Sequence, residues 1–227
     1  MRSLEEIVQT RTDLKGPELA HLHKLASDWQ LIADLSFADL AIWIPAKDSG
    51  YLALSHVRAA TAATVFPQDF EGELRTELPN GESVDCFPIS FQGKVVAQLT
   101  RHRNPQVNRS LGRLESTYQE IAQQLIEMVG EGHFPFEFSI SSLNPSPRVG
   151  DGFIRLDRSG VITYASPNGR SAFSRLGWEG ELEGIRLAEV ANKISGESIS
   201  NLTEKISSSD VSQVVLESRG EIGRAHV

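Results

Sequence analysis

A stretch rich in proline and serine divides this chain, and it constrains the possible folds more than any other feature of the sequence. Residues 133–148 contain Pro135, Pro145 and Pro147 with serines between them, a composition that is typical of a linker. The 227-residue chain is long enough for two small domains. The sequence therefore predicts one domain over residues 4–132 and a second over residues 149–220.

The segment before the linker predicts an α+β domain in which helices flank an antiparallel sheet. Pro17 suits the first turn of a helix, and apolar residues recur at spacings of three and four as far as Ala33. Runs of β-forming residues separated by turn residues predict two pairs of strands. These strands are predicted over residues 39–45, 51–58, 83–91 and 94–101. The Ala-rich residues 59–63 could form a short helix.

The most regular helix of the sequence follows the last of these strands. Its apolar residues alternate at spacings of three and four, an a/d pattern sustained for about two and a half heptads, and Gly130 and Gly132 predict its end. The seam consists of Leu111, Leu114, Tyr118, Ile121, Leu125 and Met128. Two interpretations stay open: the helix packs on its own sheet, or it pairs with a second copy in a homodimer and transmits a signal. Both can hold on different sides of the helix.

The segment after the linker predicts a second α+β domain that is incomplete. Residues 158–160 supply a turn between two short apolar runs, and Pro167 suits the start of the helix that follows. The predicted elements are strands over residues 152–157 and 161–165, helices over 167–176, 185–194 and 198–206, and the beginning of a strand over 212–217.

Composition and charge exclude several classes of protein. The chain has 22 basic and 30 acidic residues and a net charge of −8, without the clustered Lys and Arg that phosphate binding needs. Its single cysteine, Cys86, rules out an internal disulfide and suits a reducing compartment. The most apolar stretch, residues 31–46, is interrupted by acidic residues, and the N-terminus lacks a signal-peptide pattern. These features predict a cytoplasmic protein that contacts neither nucleic acid nor membrane.

Three segments, in order along the chain, resemble the actinobacterial PdtaS-type sensor histidine kinases. They are DWQLIADLSFAD (28–39), VVAQLTRH (95–102) and DGFIRLDRSGVITYASPN (151–168). The resemblance implies a GAF domain over 4–132 and a PAS domain over 149–220. It also implies a kinase that phosphorylates itself on histidine with ATP and Mg²⁺. Its phosphate would pass to a response regulator whose output domain binds RNA as an antiterminator.

We expect this sequence to hold only the sensory part of such a kinase. A PAS domain needs further strands after its central helices, and the sequence offers at most one. None of the histidines before residue 221 lies in the sequence context of the family's phosphoacceptor, and no ATP lid is found. Residues 221–227 resemble a translated sequencing adapter and receive no functional weight. ATP and Mg²⁺ would therefore bind in a missing domain.

Two alternatives to this function stay open. The chain could be a stand-alone GAF–PAS module that binds a ligand or a protein without any kinase activity. The same sensory half could instead be attached to a phosphatase or a cyclic-dinucleotide enzyme. The sequence has no Walker loop, nucleophile elbow or paired-carboxylate signature of an enzyme of its own.

Six residues are candidates for ligand binding. His56, Arg101 and His102 lie at predicted strand ends, where they line a pocket for an anionic ligand such as a cyclic nucleotide or else face solvent. Cys86 is a redox or metal-sensor candidate, although a buried small hydrophobe is the favoured interpretation because free cysteines are usually buried. In the second domain Phe153 and Tyr164 belong to an apolar core that could hold a small apolar ligand. No histidine is present there to ligate haem, and we predict no metal site.

Overall fold

The structure, a computed structural model, describes residues 4–105, 112–135 and 148–195. The chain divides into two compact units, Met1–Phe136 and Glu137–Val227. Both units combine helices with antiparallel strands, so the α+β class predicted from the sequence is confirmed. Each unit is described here by itself.

The first unit is an antiparallel sheet with helices on one face. Its elements are α1 (Leu4–Arg11), α2 (Gly16–Asp28), α3 (Gln30–Ser36), β1 (Ala38–Pro45), β2 (Tyr51–Val57), β3 (Leu74–Arg75), β4 (Val84–Phe91), β5 (Lys94–Arg103) and α4 (Arg113–Glu131). The strand order is β3-β2-β1-β5-β4, and every neighbouring pair is antiparallel. The N-terminal elements α1 to β1 therefore supply the central strand and, together with α4, the helical cover.

Local hydrogen bonds and turn residues set the ends of the helices. The backbone N–H of Lys15 donates to the Glu18 carboxylate at 2.7 Å where α2 begins, and Gly112 donates to Glu115 at 2.8 Å where α4 begins. Both contacts satisfy donors that the first turn of a helix leaves unpaired. The residue after α4, Gly132, has φ of 78°, a left-handed conformation that glycine adopts without a steric penalty.

Several elements differ from the sequence-based prediction. The helix predicted from Pro17 through Ala33 is broken at Trp29 into α2 and α3, although the apolar spacing continues through the break. Residues 59–63 form no helix. The structure adds two elements that were not predicted, α1 and the two-residue strand β3.

The second unit has a hairpin, two helices and an apolar core. Its elements are the 3₁₀ turn Val149–Asp151, β6 (Ile154–Leu156), β7 (Ile162–Ala165), α5 (Pro167–Arg175) and α6 (Leu187–Ser195). Ser166 caps α5 by accepting a hydrogen bond from the Gly169 N–H at 3.1 Å. Several predicted segments lie outside the described residues. They are the helix over 198–206, the strand over 212–217, residues 221–227 and most of the linker.

None of the helices in the described ranges is both long enough and apolar enough to cross a membrane. The longest of them, α4, has 19 residues and carries charged and amide side chains along much of its length. Its apolar side chains instead pack in the core of the first unit, where Ile126 and Val129 are buried.

Candidate functional site

The two faces of the five-stranded sheet differ in what covers them. Leu40, Ile42 and Ile44 of β1 point to the side covered by helices, which we call the helix face. Ala41 and Trp43 point to the other side, which we call the cavity face. This division follows from the alternation of side chains along a strand.

A cavity of about 520 Å³ lies on the cavity face. Its floor includes Trp43 of β1 and His102 of β5, and its walls come from residues 58–83, which we call the cover segment, and from the end of β5. Cavities of this size are typical of small-molecule sites, which combine apolar walls with a few polar groups. The cavity is therefore the leading candidate for a ligand site in the first unit.

Aromatic rings form one wall of the cavity, and a guanidinium group borders this wall. The rings of Trp43 and Phe70 are stacked at 13° with centroids 5.7 Å apart. The guanidinium of Arg75 lies 5.0 Å from the Trp43 ring and 5.7 Å from the Phe70 ring, and its Nε donates to the Glu73 carboxylate at 3.1 Å. A flat surface bordered by a cation suits a planar ligand that carries negative charge.

A chain of hydrogen bonds fixes the floor of the cavity. Trp43 Nε1 donates to Thr100 Oγ1 at 2.8 Å, and the same hydroxyl is 2.9 Å from His102 Nε2. Burial of the ring lowers the pKa of His102 to about 4, while the Asp39 carboxylate opposes this shift and Arg75 adds to it. The imidazole is therefore neutral at physiological pH, and it presents hydrogen-bonding groups without charge.

Two buried carboxylates hold the beginning of the cover segment. Asp39, which is 2% exposed, accepts hydrogen bonds from the Ala59 N–H at 2.9 Å, the Val65 N–H at 2.7 Å and the hydroxyl of Thr64. Asp34 of α3 accepts from the Ala60 N–H at 2.8 Å. The two carboxylates thus accept hydrogen bonds from backbone N–H groups of the cover segment that would otherwise be unpaired. These bonds position Phe66, which packs against His102 with ring centroids 4.8 Å apart.

His56 supports the cavity wall from behind. Its side chain is 5% exposed, and its ring stacks on Phe70 with centroids 4.6 Å apart. Its Nε2 is 3.1 Å from Asp69 Oδ1, which also accepts from Arg58 at 2.8 Å. These hydrogen bonds, first from Arg58 and then from His56, lower the pKa of Asp69.

The three residues that we predicted as a ligand-binding group are not brought together. His102 lines the cavity, and His56 lies one layer behind it. Arg101 points to the helix face, where it donates to Asp85 at 2.7 Å and lies 5.1 Å from the Phe87 ring. The alternation of side chains along β5 separates Arg101 from His102.

Trp43, Arg75, Phe66 and Phe70 were missed as site residues. Trp43 could have been found, because it belongs to a predicted strand and its period places it on one face with Ala41. The other three lie in residues 60–80, which show no helix or strand periodicity. Sequence patterns of this kind give no information on where a loop side chain points.

Cys86 is exposed, so its interpretation as a buried hydrophobe was wrong. It lies on β4, an edge strand of the sheet, opposite Thr100. Its thiol is 3.5 Å from Gln98 Oε1, and partial burial raises its pKa. Among the residues that the structure describes, no group of three or more His, Cys, Asp or Glu side chains could hold a metal ion.

The predicted seam of α4 lies partly in the core of its own unit. Ile121 is buried, and Leu125 and Met128 pack against the core on the helix face. Leu114 is 45% exposed, and Tyr118 stacks on Phe37 with centroids 6.4 Å apart. Leu111 lies outside the described residues. The seam's role in a homodimer stays a prediction.

Phe153 and Tyr164 of the second unit lie beside each other, with ring centroids 5.9 Å apart. Both are half-buried, and neither belongs to the buried cluster formed by Ile162, Phe173 and their neighbours. Their predicted role in binding a small apolar ligand stays a prediction.

Comparison with known proteins relates the chain to one family. A family model described as "Histidine kinase PdtaS, GAF domain" matches residues 4–82. The chain is 35% identical over 223 residues to the sensor histidine kinase PdtaS of Mycobacterium tuberculosis H37Rv, and 33% identical over 221 residues to that of Mycolicibacterium smegmatis. Each match covers 86% of this chain and 44% of the relative, so the chain spans less than half the length of these relatives.

A solved structure extends the similarity to three dimensions. It is described as the sensor region of a sensor histidine kinase, and it matches this chain with a TM-score of 0.79 at 34% identity. The match covers 96% of this chain and 87% of the solved one. At this identity and coverage the likeness extends through both units of the chain.

Proposed function

This chain belongs to the sensory region of the PdtaS-type sensor histidine kinases, and on that premise we propose that its cavity binds a small ligand that regulates an attached kinase. The observation that carries the proposal is the cavity of about 520 Å³ with an aromatic wall and a guanidinium at its border. The ligand class that fits is a planar anion such as a cyclic nucleotide. Its ring would pack against the partly exposed Phe70, because Trp43 is buried and already contacts Phe70 and Arg75. Its phosphate would pair with Arg75 or Arg103.

The lining supports this ligand class over an apolar one. Arg75 and Arg103 both border the cavity, whereas the buried His102 is neutral. Arg103 is also paired with Asp85 at 2.9 Å, so Arg75 is the cation better placed to exchange its partner. Its present partner, Glu73, is half-exposed, and an exposed ion pair of this kind is weak enough for a bound anion to replace.

A ligand in the cavity would be linked to α4 through the cover segment. Asp34 and Asp39 tie residues 59–65 to α3 and β1, and α3 packs against α4. A ligand that prefers one position of the cover segment would thereby shift the population of α3 and α4 arrangements. In the intact protein α4 would be the dimer helix that carries this change onward.

The remaining parts of the proposal follow the family. The second unit would be a PAS domain, and the kinase would act in the cytoplasm as a homodimer. It would use ATP and Mg²⁺ to phosphorylate a histidine and would pass the phosphate to a response regulator that acts on RNA as an antiterminator. The exposed Leu114 on α4 is compatible with pairing of that helix in a dimer.

The ligand part of the proposal is tested by calorimetric titration of the chain with cyclic mononucleotides and cyclic dinucleotides. We expect saturable binding that Arg75→Gln weakens by roughly tenfold or more, because a charge-assisted hydrogen bond is lost. Arg155→Gln is the matched control, since Arg155 lies in the second unit beside Thr163. Absence of binding by every nucleotide, or equal loss in both variants, would contradict the ligand assignment.

The regulatory part is tested in a chimera in which this chain replaces the sensory region of M. tuberculosis PdtaS. Autophosphorylation is measured with and without the ligand found above, in the native chimera and in the Arg75→Gln chimera. We expect the ligand to change the rate in the native chimera and to need a higher concentration in the variant. A ligand that binds without altering the rate would leave a binding module and remove kinase regulation.

A further inference from the structure

We propose that the first unit has a second binding site, for a small zwitterion of the amino-acid class, between α4, β5 and the end of α3. The site is a polar cleft of about 600 Å³ on the helix face of the sheet. Its lining includes Ser36, Arg101, Gln119, Glu120, Gln123 and Glu127. Arg103 borders both this cleft and the cavity described above, but the two lie on opposite faces.

The first observation that points to a ligand is a buried hydroxyl without a partner. Ser36 is 2% exposed, and its Oγ has no hydrogen bond to any described residue. An unpaired hydroxyl in such a position costs stability, and most buried polar side-chain atoms in proteins are paired. Ser36 ends α3 and lines the cleft, so a turn of its side chain about χ1 would let a ligand there supply the missing partner.

The second observation is the distribution of charge around the cleft. On the strand side Arg101 and Arg103 share one carboxylate, that of Asp85, at 2.7 and 2.9 Å. Each guanidinium carries five N–H groups, so both keep donors for another acceptor. Arg101 is largely buried, with 12% of its side chain exposed, which strengthens its interaction with an incoming carboxylate.

Across the cleft, α4 presents the opposite charge. Glu120 and Glu127 lie on the face of the helix that lines the cleft. A simple anion would meet these carboxylates and a simple cation would meet the two arginines, so each is opposed by half of the site. A zwitterion places its carboxylate near the arginines and its ammonium group near the glutamates, and this arrangement satisfies both halves.

Amide side chains complete the chemistry of the cleft. Gln119, Gln123 and Gln124 line it, and each amide both donates and accepts hydrogen bonds. Gln123 Nε2 already donates to Glu127 Oε1 at 3.3 Å, which holds that carboxylate on the cleft side of α4. A ligand bound here would contact α4 directly, without passing through the cover segment.

The experiment is a titration of the whole chain with each standard amino acid in turn, followed by thermal unfolding and calorimetry. We expect at least one amino acid to bind saturably and to raise the unfolding temperature. Its deaminated and decarboxylated analogues should each bind roughly tenfold more weakly, because each lacks one charge-assisted partner.

The variant Ser36→Ala separates a ligand contact from a structural role. It removes no hydrogen bond within the described chain and it removes an unpaired buried hydroxyl, so we expect the unliganded protein to keep or raise its unfolding temperature while its affinity for the amino acid falls by about threefold to tenfold. Ser49→Ala, in an exposed turn, is the matched control and should leave affinity unchanged. The double variant E120Q/E127Q should bring the amino acid down to the affinity of its deaminated analogue.

Three results would overturn the proposal. They are the absence of binding by every amino acid at millimolar concentration, binding that Ser36→Ala and E120Q/E127Q leave unchanged, and equal binding of the deaminated analogue. None of these results bears on the nucleotide titration, because Arg75→Gln changes the cavity on the other face of the sheet.

Discussion

The helix face and the cavity face belong to the same five strands, yet they are built on different principles. On the helix face, Leu40, Ile42 and Ile44 are fully buried among leucine, isoleucine and valine side chains. The cavity face has a small apolar cluster around Trp43, and next to it the buried polar groups of Asp39 and Thr100. Behind β1 the helix face is a continuous aliphatic core, and its polar cleft is confined to the side of β5 and α4, whereas the cavity face mixes aromatic rings, hydrogen bonds and open space.

This difference shows how one sheet can keep its main stabilising core apart from its cavity. Burial of aliphatic side chains contributes about 1.5–3 kcal/mol for each large residue, and the core behind β1 collects that contribution from contiguous apolar side chains. The cavity face gives up part of that gain, because space and buried polar groups both oppose folding. The aliphatic core of the helix face offsets this loss.

The largest expected effect comes from the helix face. Ile42→Ala should lower the free energy of unfolding by about 2–5 kcal/mol, since it leaves a cavity in a fully packed region. Phe70→Ala on the cavity face should cost about 1–2 kcal/mol, because Phe70 is only half-buried and already borders open space. Urea denaturation of both variants gives the comparison, with Val95→Ala, at a position 51% exposed, as the near-neutral control. Equal losses at Ile42 and Phe70 would contradict the division of roles.

The next effect concerns the carboxylate that holds the cover segment. Asp39→Asn should destabilise the unit by about 2–3 kcal/mol, because an amide group would replace an acceptor of charge-assisted hydrogen bonds. It should also speed proteolysis within residues 58–70, since the backbone N–H groups of Ala59 and Val65 bond to different oxygens of Asp39 and asparagine keeps only one acceptor oxygen. Asp48→Asn, in the exposed turn after β1, is the matched control. A variant that resists protease as well as the native chain would show that Asp39 does not hold the cover.

A smaller effect, and one confined to acid pH, should come from His102. Its folded-state pKa of about 4 lies below its ordinary value, so the unfolded chain binds more protons between about pH 6.5 and pH 4. Stability should therefore fall as the pH is lowered through this range, by roughly 2 kcal/mol from this residue, less than the full shift would give because the side chain is only partly buried.

His102→Gln removes this titration and keeps a side chain that can hydrogen bond with Thr100. Urea denaturation at a series of pH values should show a flatter dependence in the variant than in the native chain. Some dependence will remain, because burial also lowers the pKa of His21. Parallel curves for the two proteins would show that the imidazole at the cavity floor is not desolvated.

Much of the framework could be predicted from the sequence because it rests on periodic patterns. Four strands and the helix that follows them were found from alternation and from the three-four spacing. The break at Trp29 was missed because the apolar positions of α2 and α3 continue the same spacing through it. The strand β3 was missed because two residues are too short to show a period.

The candidate site was harder to predict because it depends on register and on a loop. Trp43 and His102 share a face only because β1 and β5 pair in the observed register, and no local pattern reveals that pairing. Arg75 and Phe70 reach the cavity through the cover segment, whose shape depends on hydrogen bonds to Asp34 and Asp39. A buried aspartate looks like any other aspartate in a sequence.

Cys86 provides the smallest expected effect and marks where the cavity face ends. Cys86→Ser should change the free energy of unfolding by no more than about 0.5 kcal/mol, because the residue is exposed and its contact with Gln98 is weak.

In the native chain the thiol should react with an alkylating reagent without unfolding, although more slowly than a fully solvated cysteine. The thiolate is the reactive form, and partial burial raises the pKa of this thiol. Labelling rates measured with and without urea test this, because a cysteine covered by residues 58–83 would react only when the sheet opens. Protection of that kind would extend the covered area of the cavity face to its edge strand and weaken the contrast between the two faces.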